Sequence, residues 1–231
     1  RNEKLKVLSS LRPMDEKMIR DNVVLGQYIA GAVGGEAVVG YMDEEGATSR
    51  SDTETFVAIR ADLDNWRWAG VPFYLRTGKR LQSRYSEIVI EFKQVPHSIF
   101  MEQGVMAPPN RLTIRLQPDE MIRLQLMNKV SGLDVQSPLR NVALDLSFPE
   151  ENELGAAPDA YQRLLWDVIQ ENPTLFVRSD EVEEAWKWVD GIQDVWRRTG
   201  KQPEKYMAGS WGPSSAIALI VRDNRRWWEY E

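Results

Sequence analysis

The stretch VPFYLRTGKRLQSR, residues 71–84, is an apolar, strand-like run that ends in Gly78 and then sets down Lys79, Arg80 and Arg84. A lysine ammonium and an arginine fork close together are the usual means of holding a phosphate, one as a point charge and the other as a planar donor pair. A nucleotide P-loop is excluded. It requires G-x-x-x-x-G-K-[ST], whereas the glycine before Gly78 is Gly70 and Arg80 stands where the magnesium-binding hydroxyl belongs. Simple anion binding survives, because Gly78 permits a tight turn and Lys79 and Arg84 lie five residues apart across an expected hairpin. Such a turn suits a phosphate or a polyhydroxyl ligand. A solvated basic turn protecting a sheet edge explains the same residues equally well.

Other chemistry is sparse. The single histidine, His97, sits in KQVPHSIF beside a proline and reads as a loop residue, and with no cysteine there is nothing to complete a zinc site. Ser98 is adjacent to His97 in sequence, which gives no nucleophile–base geometry. Among the 35 acids, groupings such as Asp43/Glu44/Glu45 and Glu150/Glu151 fall in loops, and they read as solvated loop residues. The chain carries no self-sufficient catalytic constellation.

A formal charge of −6 over 231 residues argues against nucleic acid as a partner, and the basic stretch is too small for a duplex. No apolar run is long enough for a membrane span, the start RNEKLK has no signal-peptide core behind it, and the composition is that of a globular cytoplasmic protein. The chain opens at Arg1 inside an amphipathic pattern carried by Leu5, Val7, Leu8 and Leu11, the expected look of a segment cut from something longer.

Residues 22–52, rich in glycine, read as a long irregular connection anchored by Tyr28 and Tyr41, with no G-x-G-x-x-G after a strand. From residue 53 the period becomes two. TETFVAIRADL, VPFYLRT (71–77), YSEIVIEFK (85–93), RLTIRLQ (111–117), MIRLQLM (121–127) and NVALDLSF (141–148) are expected strands, with turns such as Pro118-Asp119 and Ser131-Gly132 between them. The last third turns helical. DAYQRLLWDVIQ carries an apolar stripe that Pro173 ends, and DEVEEAWKWVDGIQDVWRR carries another behind an expected Asp180/Glu183 capping box. Strands followed by helices predict an α+β fold, one large and mainly antiparallel sheet with helices on one face. The nine tryptophans are assigned to core and subunit contacts.

In their order, NVVLGQY (22–28), TETFVAIR (53–60), DNWRWAGVPF (64–73), the LRTGKRL stretch, LQPDE (116–120), PDAYQRLLWDV (158–168), FVRSDEVEEAW (176–186) and YMAGSWGP (206–213) resemble the C-terminal domain of glucose-6-phosphate dehydrogenase, bacterial type. The resemblance runs over essentially the whole chain, residues 1–231, and it favours the anion-binding reading of the basic turn. It implies an enzyme of the pentose phosphate pathway that oxidises D-glucose 6-phosphate at C1 to 6-phospho-D-glucono-1,5-lactone and passes hydride to NADP. It also implies that this chain is the substrate-side and dimerisation domain, a homodimer forming through the sheet. Lys79 matches the family lysine that reaches the substrate, and Arg84 a second basic position facing the sugar phosphate. Gln117 matches a glutamine near substrate in some members. The family's coenzyme loop and its catalytic His–Asp pair match nothing here, so no catalytic or coenzyme-binding residue is assigned in this chain, which is expected to be inactive alone. Arg76 and Arg115 fit the second, structural NADP site of some members. Tyr85, Val89, Gln125 and Trp211 stand where that site has cations, so no structural NADP is expected. The competing reading is a self-standing, non-catalytic sugar-phosphate-binding or dimerisation module.

Overall fold

The computed structural model describes residues 2–48, 51–94, 108–129, 139–147 and 160–229. His97, Ser98, Ser131-Gly132 and Glu150/Glu151 lie outside the described residues. The chain divides into two compact units, residues 1–83 with 160–231, and residues 84–159.

The first unit begins with helices α1 (Asn2–Ser9) and α2 (Glu16–Asn22), followed by strands β1 (Val23–Ile29), β2 (Gly31–Val33), β3 (Glu36–Val38), β4 (Phe56–Ala61) and β5 (Phe73–Gly78). It resumes with helices α3 (Ala160–Ile169) and α4 (Ser179–Thr199), strand β10 (Glu204–Met207) and helix α5 (Ser214–Val221). Its sheet has the order β10-β1-β4-β5. It is antiparallel except for β10, which runs parallel to β1. Alternation along β1 and β4 makes two cores. Val23, Leu25, Ile59 and Ala61 pack under Ile19 of α2 and Ile192 and Trp196 of α4. Val24, Tyr28, Phe56 and Ala58 face the opposite way, against Ala216 and Leu219 of α5. Helices therefore cover both faces of this sheet.

The expectation of an irregular connection over residues 22–52 is corrected by β1, an inner strand buried from Val23 to Tyr28. Its glycine is not a turn residue. A Cβ on Gly26 would stand 2.9 Å from Pro213 Cγ and 3.1 Å from a Tyr206 ring carbon, so glycine here marks close packing. Gln27, wholly buried on the same strand, is satisfied by the carbonyls of Ser51 and Thr53 at 2.9 Å each and by the Lys205 ammonium. Tyr28 and Tyr41 do meet as anchors, edge to face at 5.8 Å. The cap of α4 is also shifted from expectation. Glu181, not Glu183, reaches back to the amide of Arg178 at 3.4 Å, while Asp180 accepts from the Glu181 amide at 2.9 Å.

The second unit is a meander of β6 (Ser86–Glu91), β7 (Arg111–Gln117), β8 (Met121–Lys129) and β9 (Leu139–Ser147), all antiparallel neighbours. Its register assembles Ile88, Ile114, Ile122 and Leu146 into one row and Ile90, Leu112, Leu124 and Leu144 into the next, on a single face. The other face is polar. Arg115 pairs with Glu87 at 3.1 Å, and Arg123 grips Asp145 with two bonds at 2.6 and 3.1 Å. The α+β class follows from period-two strands and 3.6-period helices, with the described strands shared between two four-stranded sheets and the β2–β3 hairpin.

Candidate functional site

The basic turn leaves the first unit's sheet at the end of β5. Gly78 is the last residue of that strand, opposite Phe56, and it has no left-handed backbone. A Cβ there would come within 2.8 Å of the Phe56 ring and 3.2 Å of Leu81. The residue that turns left-handed is Arg80, at φ 52°. The expected hairpin is not formed, since β5 pairs with β4 while β6 pairs with β7 in the other sheet. Hairpin geometry needs consecutive strands to pair, and here the chain passes from one sheet to another.

What holds the turn is main-chain hydrogen bonding from distant segments. The Lys79 amide donates to the Thr55 carbonyl at 2.8 Å, and the Lys79 carbonyl accepts from the Tyr206 hydroxyl at 2.7 Å. The Arg80 carbonyl accepts from the Gly209 amide at 2.8 Å, and the Gln82 amide donates to the Ser210 carbonyl at 3.2 Å. Arg80 spends its charge internally, donating to Glu44 at 3.1 Å. Tyr28 and then Arg80 hold the Glu44 carboxyl below its ordinary range, while burial, helped by Glu44, pushes the Tyr28 phenol up to about 12. Lys79 is different. Its ammonium is exposed and has no ion-pair or hydrogen-bond partner among the described residues.

Arg84 lies in the second unit, exposed, two residues before β6. Gln117, also exposed, closes β7 opposite Ser86, so Arg84 and Gln117 belong to the same end of that sheet. Arg115 is buried against Glu87 with its guanidinium 5.3 Å from the Tyr85 ring. The Arg76 guanidinium lies over two indole rings, 5.0 Å from that of Trp211 and 4.6 Å from that of Trp227, with Glu229 at 3.1 Å. Among the described residues no group of three histidines, cysteines or carboxylates could hold a metal ion, and no helix is long and apolar enough to cross a membrane. The residues missed from sequence are Thr55, Tyr206 and Gly209. They lie in TETFVAIR and YMAGSWGP, whose residue types carry no chemical pattern of their own.

The chain is thus an α+β fold that presents the exposed Lys79 from a basic turn held by main-chain hydrogen bonds. The chain belongs to the family described as glucose-6-phosphate dehydrogenase, C-terminal domain, whose model matches residues 1–228. It is 52% identical over its whole length to glucose-6-phosphate 1-dehydrogenase of Dickeya dadantii, covering 47% of that protein, and 56% identical over 98% of its length to that of Rhizobium meliloti, covering 46%. The chain thus spans about half the length of the curated relatives it matches. Among solved structures, a glucose-6-phosphate dehydrogenase in complex with its substrate glucose-6-phosphate matches 99% of this chain and 45% of its own, with a TM-score of 0.82 at 31% identity. The enzyme from Mycobacterium avium matches 99% and 44%, with a TM-score of 0.75 at 32% identity.

Proposed function

We propose that the full-length protein is a cytoplasmic glucose-6-phosphate dehydrogenase that oxidises D-glucose 6-phosphate to 6-phospho-D-glucono-1,5-lactone in the pentose phosphate pathway, with this chain, residues 1–231, as its substrate-side and dimerisation domain. The observation that carries the reading is identity of 52% to a glucose-6-phosphate 1-dehydrogenase along the entire chain. The described residues offer no Gly-rich strand-to-helix turn to cradle a dinucleotide, so the NADP that accepts the C1 hydride is assigned to the half of the relatives that this chain does not span. Lys79 and Arg84 are assigned to the substrate phosphate. The unpaired, exposed ammonium of Lys79 supports its assignment, because a solvated surface cation needs no such rigid main-chain mounting. That no second, structural NADP binds is supported by Arg76, whose guanidinium is already engaged by Trp211, Trp227 and Glu229.

The homodimer is assigned to the β6–β9 sheet. Ile88, Ile90, Leu144 and Leu146 of its apolar face are 40–57% exposed, and two such faces laid together bury a continuous aliphatic surface. The test is NADP reduction by the full-length protein with glucose 6-phosphate. In Lys79→Ala, loss of a charge-assisted contact raises KM for the sugar phosphate about 10- to 100-fold and leaves KM for NADP unchanged. Unchanged KM and kcat for glucose 6-phosphate remove Lys79 from the site.

A further inference from the structure

We infer that Tyr206 is a positioning residue of this site, its hydroxyl fixing the main chain of Lys79 so that the ammonium is presented to the sugar phosphate from a defined point. The inference rests on the assignment of Lys79 to that phosphate.

Tyr206 lies on β10, brought beside β1 by the one parallel pairing in its sheet. It is 3% exposed, with its ring 5.5 Å from Phe56 and 6.3 Å from Tyr28. Two aromatic rings thus pack against the phenol. Its hydroxyl reaches two segments that flank the turn, at 2.7 Å from the Lys79 carbonyl, 3.1 Å from Thr55 Oγ1 and 3.2 Å from the Thr55 carbonyl. Thr55 in turn accepts the Lys79 amide, so both polar main-chain groups of Lys79 end on this pair of residues. Burial pushes the Tyr206 phenol up, which keeps it protonated and able to donate throughout the neutral range.

A lysine side chain has four rotatable bonds, and among the described residues nothing bonded to the Lys79 ammonium restrains them. The position of its Cα is then the main control on where the charge is offered, and a misplacement of about 1 Å is costly in a preorganised site. Tyr206 is buried and acts through the Lys79 backbone, so it touches no substrate. It is a positioning residue and not a catalytic one.

The test is a double-mutant cycle in the full-length protein, combining Tyr206→Phe with Lys79→Ala and reading KM for glucose 6-phosphate, KM for NADP, kcat and the thermal midpoint. Tyr206→Phe keeps the ring and removes only the hydroxyl. Loss of one hydrogen bond is expected to raise KM for the sugar phosphate about fivefold, with KM for NADP unchanged. In the Lys79→Ala background the same change has no further effect on that KM, because the group it positions is gone. A fall in thermal midpoint alone, with KM unmoved, overturns the inference and leaves the Lys79 assignment standing. An equal rise in KM in both backgrounds also overturns it, since the effect then bypasses Lys79. No effect of Lys79→Ala itself overturns the site assignment beneath it.

Discussion

Arg60 donates through Nε to Asp223 at 2.8 Å, tying strand β4 to the turn that follows helix α5. Tyr74 of β5 donates its hydroxyl to the same carboxylate, and Arg60 also pairs with Asp62 at 2.9 Å. Tyr74 first, and then Arg60, hold the Asp223 carboxyl below its ordinary range. Burial first, and then Asp223, push the Tyr74 phenol up to about 12. The two groups act at opposite ends of the pH scale. Asp223 contributes stability that is complete above the ordinary carboxyl value of 3.8 and lost as pH falls through the lower folded value. Tyr74 contributes stability that is complete below 10.0 and lost as pH rises towards 12. In Asp223→Asn the acid loss should flatten and tyrosine ionisation, followed by absorbance, should start at lower pH. Both side chains of the Arg60–Asp223 pair are about a quarter exposed, at 23% and 29%, and Arg60 keeps Asp62. The loss at neutral pH is accordingly set at about 1–2 kcal/mol by denaturant unfolding. Superimposable pH–stability curves for variant and parent would show that the cluster contributes nothing.

Two glycines should respond to alanine with opposite sign. Gly26→Ala forces a methyl against Pro213, Tyr206 and Phe56 inside a packed core and is expected to cost about 2–3 kcal/mol. Gly191 lies exposed within α4, where an added Cβ meets nothing within 4 Å. Gly191→Ala should stabilise by about 0.5–1 kcal/mol through helix propensity and a less flexible unfolded chain. Thermal midpoints that move in the same direction for both would contradict the packing argument.

The contrast between these glycines shows which parts of the molecule could be read from sequence. The β6–β9 meander was legible because Leu112, Ile114, Ile122 and Leu124 alternate with polar residues such as Thr113, Arg115 and Arg123, and α3 and α4 because their apolar stripes hold helical spacing. Strand β1 was not, because Gly26 has the composition of a loop and only its distant neighbours reveal why no side chain fits. Strand β10 is four residues long and pairs in parallel across a large sequence separation, a contact that no local pattern encodes. The same division runs through the site. Lys79 stood out by charge and position, yet the Tyr206 hydroxyl that holds it lies 127 residues away.

The C-terminal segment should behave as a stabilising strap. Trp227 stacks on Arg76, meets Tyr74 edge-on at 6.1 Å and donates its indole N–H to the Ala216 carbonyl at 2.8 Å. Trp227→Ala removes all three contacts from a half-buried ring, an expected loss of about 2–3 kcal/mol. Arg76→Lys keeps the charge and loses the planar face, at about 1 kcal/mol. Equal losses in the two variants would mean that stacking is not what holds the segment.

Leu144 tests the proposed dimer. It stands 57% exposed in the row with Ile90, Leu112 and Leu124, on the aliphatic face of the second unit's sheet. If two copies apply that face to each other, Leu144→Arg buries a charge without a partner, and two-fold symmetry introduces it twice. The dissociation constant should rise by about 100-fold or more, read by sedimentation or light scattering across protein concentration. On the polar face, Asp145→Asn disturbs only the pair with Arg123 and should leave assembly unchanged. Retention of the parental dissociation constant by Leu144→Arg, with circular dichroism unaltered, would place the interface on another surface. A shift produced equally by Asp145→Asn would show that the sheet as a whole, rather than its aliphatic face, is what assembly senses.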